Sequence, residues 1–366
     1  MPVADWRNVR ALGVEAPGRL YIHDYWEGPP EDGQVRLDTL YTGFSAGTEL
    51  TFVKGSNVYL HSRWDEDKGL FVPGQAQAQF PVPFLGYMEV GRVRDSRSGA
   101  MPDGEVVGMT YGHKTGHTAG PDEIACGVPD GIDPILGIYL AQMGPICVNG
   151  LLHAAHDMVG RDVRTLADGV AARDVLVTGG GVVGLLTAML ARQHGAAEVV
   201  IADPAPERRA TAEALGFVAV DAAGVSDFAK ARWMHGAGDW GADVVFQTRA
   251  TAEALHESLR ALRPQGTVID LAFYPGGADA VRLGEEFHHN GLSIRCAQIG
   301  RVPRGLGHEW DRLRLARETL ELLSVEGDMI REEMITDVVP FDDAPRFVAE
   351  LVEKRRPFVQ IVFACE

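Results

Sequence analysis

The middle of the chain alternates two hydrophobic patterns. Apolar runs of strand length begin at Val175 (VLVTG), Glu198 (EVVIADP), Ala242 (ADVVFQT), Gly266 (GTVIDLAFY) and Leu292 (LSIRCAQIG). Between them lie stretches with helical spacing: Val182 to about His194, stopped by Gly195; PERRATAEAL from Pro206; and TAEALHESLRALR from Thr251, ahead of Pro264. A strand buried on both faces needs an unbroken apolar run, so this alternation predicts a parallel sheet covered by helices, a doubly wound α/β domain.

Residues 1 to about 150 differ, with short apolar runs, many glycines and prolines, and no long helical period. That half is expected to be β-rich. After Gly305 the helical stretch WDRLRLARETLELL leads to ITDVVPF, an amphipathic helix from Asp342 to about Lys354, and a last strand, FVQIVF. The tail is assigned to the first domain. The expected division is therefore 1–152 completed by 326–366, with 153–325 as the doubly wound domain.

Composition narrows the function classes. A chain of 366 residues suits two domains that each bury a core, and 46% hydrophobic with 23% charged residues is an ordinary globular balance. The formal charge of -17 and the lack of a basic run exclude nucleic acid and anionic membrane as expected partners. No stretch approaches the roughly 18 apolar residues of a membrane span. The N-terminus, MPVADWRNVR, lacks signal-peptide character, and Cys126, Cys147, Cys296 and Cys365 show no CxxC spacing. They read as buried thiols in a reducing cytoplasm.

The strongest local signal is GxGxxG at Gly179, Gly181 and Gly184, following a strand and opening a helix. Gly179 makes the tight turn, Gly181 lets the backbone approach a pyrophosphate, and Gly184 lets helix and strand pack closely. The diphosphate then sits on the helix N-terminus at Val182 and Val183, where N–H groups and the helix dipole favour negative charge. Asp203 ends the next strand, 19 residues after Gly184, where a carboxylate accepts hydrogen bonds from an adenosine ribose. The same charge would repel a 2′-phosphate, so NAD is expected over NADP. Arg208 and Arg209 keep NADP open, or simply line a solvated helix face. Gln247, Thr248, Ala272 and Phe273 follow the next strand ends and are second-rank cofactor contacts.

Three further motifs carry a family resemblance over nearly the whole chain. Thr42-Gly-Phe-Ser-Ala-Gly-Thr-Glu49 is similar to TGxCG(S/T)D, Pro83-Phe-Leu-Gly-Tyr-Met-Glu-Val-Gly91 to PxxxGHExxG, and Val128-Pro-Asp-Gly-Ile-Asp133 to IPDGLDP. These, with the order of domains, resemble the medium-chain dehydrogenase/reductase superfamily. The resemblance implies a GroES-like β-rich domain, a Rossmann domain and a C-terminal return, with homodimers common through the Rossmann sheet edge.

Departures from the motifs are as informative. Ala46 stands where zinc-dependent members carry a catalytic cysteine, and Tyr87, followed by Met88, stands at the histidine of GHE. No cysteine precedes Cys126, so the four-cysteine structural-zinc lobe is absent. The expectation is no metal at the family position. Within the zinc-free members the SAGTE and GYxxxG pair is similar to the branch of bacteriochlorophyllide hydroxyethyl dehydrogenases, which implies oxidation of a secondary alcohol. The expected function is NAD-dependent hydride transfer between a secondary alcohol and a ketone, on a small molecule such as a polyol, sugar derivative or ring alcohol. An enoyl or quinone reductase, or a nucleotide-binding protein without turnover, are the alternatives.

Without a metal, side chains must take the carbinol proton and stabilise the oxygen charge. Tyr87 is the first candidate, against a role as a core tyrosine filling the metal's space. Glu49 is expected to support the site, and His113 and His117 could relay a proton near neutral pH. A metal held by Glu49, Glu89 and a histidine is a minor alternative. Between Ala46 and Tyr87 lie 40 residues, about twice the usual family interval. The excess, around Gly55 to Phe80, carries Tyr59, His61, Arg63, Trp64, Asp65, Glu66 and Asp67 and reads as a lid or binding loop, or an oligomer contact.

Overall fold

The computed structural model describes residues 5–354 and 356–365. The chain forms two compact units, Met1–Gln142 with Ile335–Glu366, and Met143–Met334. In the first unit a long antiparallel hairpin joins β1 (Arg7–Ala16) to β2 (Arg19–Glu27), and β3 (Val35–Phe44) is the hub strand of a second sheet. Phe44 passes through Ser45 directly into helix α1 (Ala46–Val53).

The segment around Gly55 to Phe80, read as a lid or binding loop, or an oligomer contact, carries secondary structure of its own. Its residues form a short hairpin, β4 (Ser62–Asp65) with β5 (Leu70–Pro73), on which Trp64 meets Phe71 edge-on at 4.9 Å. The sheet then continues with β6 (Glu89–Ser96), β7 (Val106–Met109), β8 (Gly116–Ala119) and β9 (Cys126–Gly127). Inward positions Val35 and Leu37 of β3 pack with Val93, Val107 and Met109, the alternation expected of a strand pair with one buried face. Pairing of Thr42 with Glu89, and of Glu89 with Met109, brings the ends of β3, β6 and β7 together.

The second unit opens with α2 (Met143–Val159) and α3 (Ala167–Val170) and then builds the parallel sheet. Its elements are β10 (Asp174–Thr178), α4 (Val182–Gln193), β11 (Glu198–Ala202), α5 (Pro206–Ala214), β12 (Val218–Val220) and α6 (Val225–Arg232). After a small hairpin, β13 (Met234–Gly236) with β14 (Asp239–Trp240), come β15 (Ala242–Gln247), α7 (Ala252–Ala261), β16 (Leu262–Asp270) and β17 (Ser293–Cys296). Strand order β12-β11-β10-β15-β16-β17 is the Rossmann arrangement, whose order reverses between β10 and β15. Helix α8 (Arg312–Glu333) packs on α2 in this unit, and the tail returns as β18 (Ile335–Pro340), α9 (Ala344–Lys354) and β19 (Gln360–Ala364), with β19 antiparallel to β3. The fold class is thus α/β, a GroES-like β-rich unit plus a doubly wound Rossmann unit.

The unit boundaries follow helices. The first falls before α2, where the sequence reading put residue 152, because α2 packs along its whole length in the Rossmann unit; the second falls after α8, where that reading put 325. One thiol assignment is corrected. Cys126 and Cys147 are buried, but Cys296 is exposed because it ends the edge strand β17, and Cys365 is only partly covered. Among the described residues no helix is long and apolar enough to cross a membrane.

The tightest approach in the Rossmann unit lies under its glycine turn. A Cβ on Gly184 would sit 1.8 Å from the Gly179 carbonyl oxygen, a backbone atom that cannot swing aside. Gly184→Ala is therefore expected to destabilise the protein by about 1–3 kcal/mol or more, read as a lowered denaturation midpoint in urea. An unchanged midpoint would show that the turn yields.

Candidate active site

Strand β10 ends at Thr178, and Gly179, at φ +120°, turns the chain into α4. No side chain caps α4 at Gly181, and a Cβ on Gly181 would meet nothing nearer than the Arg208 guanidinium at 3.8 Å. The first turn of α4, with Val182 and Val183 half-buried beside it, thus presents open ground and free amide groups to an anion. This is a fit for a dinucleotide pyrophosphate. Beyond the same strand ends a cavity of about 560 Å³ is lined by Thr178, Pro204, Asp221, Arg249, Thr251 and Glu257, within the size range of small-molecule pockets.

Asp203 is more engaged than a free ribose acceptor would be. It is 1% exposed, accepting from the Gly180 N–H and the Ala205 N–H at 2.8 Å each, with Arg208 Nη1 at 3.8 Å. One lone pair remains on each oxygen for a ribose hydroxyl. Arg209 is committed elsewhere, donating to the carbonyls of Asp203 and Pro204 and pairing with Asp221.

Among the second-rank residues, Gln247 faces inward. It is fully buried, accepts from the Thr178 hydroxyl at 2.6 Å and donates to the Arg249 carbonyl and the Tyr274 oxygen, so it braces three strand ends. Thr248 donates to the Thr178 carbonyl and lies against the glycine turn. Ala272 donates its N–H to Asp270, and Phe273 is 51% exposed.

In the first unit, the end of β3, the start of α1, the start of β6 and the loop before β8 meet in one polar network. The phenol of Tyr87 forms hydrogen bonds with the hydroxyls of Ser45 and Thr48, the latter at 3.2 Å. Ser45 occupies the N-cap position of α1, yet its side chain caps nothing. Glu49 instead reaches back to the first turn's entrance, accepting from the Ser45 N–H at 2.7 Å. The other oxygen of Glu49 meets His113 Nε2 at 2.6 Å; the far side of the imidazole, Nδ1, meets the Thr42 hydroxyl, which lies 3.1 Å from Glu89 Oε1. Glu89 Oε2 accepts from the Tyr111 N–H at 2.8 Å. Phe44 and Phe363 close over the imidazole ring.

Burial sets the electrostatics of this network. Burial raises the Tyr87 phenol above its ordinary range, offset in part by Ser45 and Thr48. Burial also raises Glu89, against the opposing effects of His113 and nearby backbone amides. Burial alone would lower His113, but the charge and hydrogen bond of Glu49, with Glu89 adding to them, outweigh it and hold the imidazole above its usual value.

The sequence-predicted residues therefore separate. Tyr87, Glu49 and His113 come together, whereas His117 pairs with Glu123 at 2.8 Å and stacks on Tyr111. Ser45, Thr48 and Thr42 were not assigned roles from sequence, and Glu89 only that of a ligand in the minor metal alternative. The hydroxyl residues of Thr42–Glu49 flanking the altered position Ala46 were the signal available for three of them.

The family's zinc does not suit these donors. Zinc takes thiolate, imidazole or carboxylate. Ala46 offers no donor, Met88 is packed in the core, and Glu49, His113 and Glu89 bond to one another or through Thr42. Cys147, in the other unit, is a fully buried thiol pushed up to about 12 by burial. Among the described residues, clusters with metal-ligand geometry fall in the Rossmann unit, at Asp174, His235 and Asp243 and at His256, Glu285 and Glu286.

Comparison with known proteins agrees with this architecture. The family model described as zinc-binding dehydrogenase matches residues 182–313. D-guloside 3-dehydrogenase of Escherichia coli (strain K12) is 30% identical over 94% of this chain and 97% of its own. Two solved structures share the fold. A Sinorhizobium meliloti 1021 protein described as a zinc-binding dehydrogenase, bound to NADP, has TM-score 0.70 and 20% identity, covering 98% of this chain and 99% of its own. An Escherichia coli CFT073 alcohol dehydrogenase complexed with NADH has TM-score 0.71 and 15% identity, with the same coverage. With a relative of that identity aligned end to end, the chain belongs to the medium-chain dehydrogenase/reductase superfamily of oxidoreductases.

Proposed function

We propose that this protein is a zinc-independent, NAD-dependent oxidoreductase that interconverts a secondary alcohol and a ketone on a polyol, sugar derivative or ring alcohol. The observation that carries the reading is the Tyr87–Ser45–Thr48 hydroxyl trio, in which Tyr87 stands at one motif position where zinc-dependent members hold their metal and Ser45 and Thr48 lie on either side of the other, Ala46. A phenol and two hydroxyls can donate to a developing oxygen and pass a proton onward, the work the ion would otherwise do. The end-to-end relative named as a guloside dehydrogenase supports a sugar-derived secondary alcohol. A nicotinamide cofactor would lie over Gly181 and the start of α4 and supply the hydride acceptor. Asp203, beside the turn, disfavours a 2′-phosphate by charge.

Tyr87→Phe keeps the ring and removes only the hydroxyl. Turnover with a secondary alcohol is expected to fall about 10²–10⁴-fold while NAD binding is unchanged; normal turnover would remove Tyr87 from the mechanism. In titration calorimetry NAD should bind at least about tenfold more tightly than NADP, or about 1.4 kcal/mol. Equal affinities would overturn the cofactor assignment. Elemental analysis of active protein should find less than one zinc per chain at any activity level, and chelation should leave turnover intact. Stoichiometric zinc lost together with activity would replace this mechanism with a metal-assisted one.

A further inference from the structure

The buried part of the network has more hydrogen bonds than a neutral imidazole can supply. Three contacts run in series: Glu49 Oε2 to His113 Nε2, His113 Nδ1 to Thr42 Oγ1, and Thr42 Oγ1 to Glu89 Oε1. Each contact needs one proton. A neutral imidazole brings one and the threonine hydroxyl another, so a third must sit on His113 Nδ1 or on the Glu89 carboxyl. Moving it from one to the other takes a shift of two protons along the Thr42 oxygen, and Glu49, His113 and Glu89 together carry a charge of −1 either way. All four side chains are buried. A Cβ on Gly86 would lie 2.9 Å from both Glu89 Oε1 and the imidazole, so glycine, at φ +95°, is what lets the pair close up.

We propose that His113 and Glu89 are positioning residues that hold one proton between them through Thr42, resting on His113 Nδ1 at neutral pH with the Thr42 hydroxyl donating to Glu89, thereby fixing Glu49, which fixes Ser45 and so the hydroxyl trio. The inference rests on the hydride-transfer reading above for its purpose, though its proton count does not. Neither residue touches the trio. Glu49 does, through the Ser45 N–H, and the Ser45 hydroxyl, which caps no amide of α1, meets Tyr87. Without the third proton, two buried carboxylates would face a neutral ring. Their repulsion would loosen Glu49 and let the trio drift.

The charged and titratable groups facing the imidazole are Glu49 from α1 and Glu89 from β6, while β3 and β19 present Thr42, Phe44 and Phe363. Lys114, the next residue, carries its ammonium over the Phe84 ring and interacts with Glu89 at longer range. Tyr111, whose N–H bonds Glu89, directs its hydroxyl to Thr39. His113 and Glu89 both hold protons more tightly than in the unfolded chain. The stabilising arrangement is therefore present at low pH and lost as pH rises through the folded-state values.

The test uses the full chain labelled with ¹⁵N-histidine, without substrate. Both nitrogens of His113 should show proton-bearing character at neutral pH in the unaltered protein. Glu89→Gln keeps the shape and donates to Thr42, which turns its own hydroxyl toward Nδ1, so Nδ1 should become bare. A bare Nδ1 in the unaltered protein overturns the proposal, and this arm needs no variant to fold. In turnover, Glu89→Gln should cost about tenfold, because all three contacts survive but the imidazole bonded to Glu49 loses its charge, with NAD affinity unchanged and the alkaline fall of the pH profile abolished. Thr42→Val should lose activity and Thr42→Ser should restore it. Unaltered turnover and pH profile in Glu89→Gln would refute the positioning role. If the unaltered protein oxidises no alcohol with either nicotinamide cofactor, the hydride-transfer reading fails, and the imidazole spectrum still decides the proton count.

Discussion

The Glu49 carboxylate is the contact on which the first unit's polar site depends. It sits almost wholly out of water, with one oxygen on the Ser45 amide and the other on His113. A buried charge left without its partner is strongly destabilising, by about 3–5 kcal/mol in measured cases. Glu49 and His113 therefore constrain one another, and the fold must keep both in place. That requirement ties the end of β3, the first turn of α1 and the loop before β8 into a unit more rigid than backbone pairing alone would make it. It also holds the N-cap serine, Ser45, whose hydroxyl caps nothing. Its amide is taken from below by Glu49, and its hydroxyl turns outward to a phenol.

The same economy operates at the Rossmann turn. Asp203 accepts from Gly180 and Ala205, so the carboxylate that would meet a ribose also shapes the loop that would meet the diphosphate. In the proposed reading, cofactor selectivity and turn geometry would thus be held by one side chain. A substitution there disturbs both, and a change in nucleotide preference would be read through a backbone that has moved. Gln247 behaves alike one strand over, spending its whole amide on Thr178, Arg249 and Tyr274 to square off the strand ends.

Much of this was legible in the sequence, for identifiable reasons. Unbroken apolar runs separated by helical spacing point to a covered parallel sheet, and the glycines at 179 and 184 carry geometry that a side chain would strain, the first at φ +120° and the second against the Gly179 carbonyl. Ala46 and Tyr87 were visible as departures because a motif fixes what ought to stand there. The histidines show the limit. His113 and His117 are four residues apart and alike in sequence, yet one precedes β8 and turns inward between two carboxylates while the other lies on β8 against Tyr111 and Glu123. Only the pairing of β3 with β6 and of β6 with β7 decides which is enclosed, and that register is a long-range property. Glu89 was passed over for a related reason. Its neighbour Met88 occupies the motif's acidic position, and a one-residue offset moves a side chain to the other face of a strand.

A buried ionic network in place of a bound metal would change what the site can do. A divalent ion stabilises an alkoxide by its own charge and needs no proton to remain in place, whereas a phenol and two hydroxyls stabilise it by hydrogen bonds whose direction must be maintained. Direction is a packing property, and a preorganised donor is worth most where its supports cannot relax. Phe44 and Phe363 close over His113, Gly86 admits Glu89 and the imidazole to the same space, and Glu49 carries their position to Ser45. Under the proposed mechanism, what the ion would supply as charge this arrangement would supply as geometry, and its chemistry would accordingly be tied to the protonation of groups outside the hydroxyl trio.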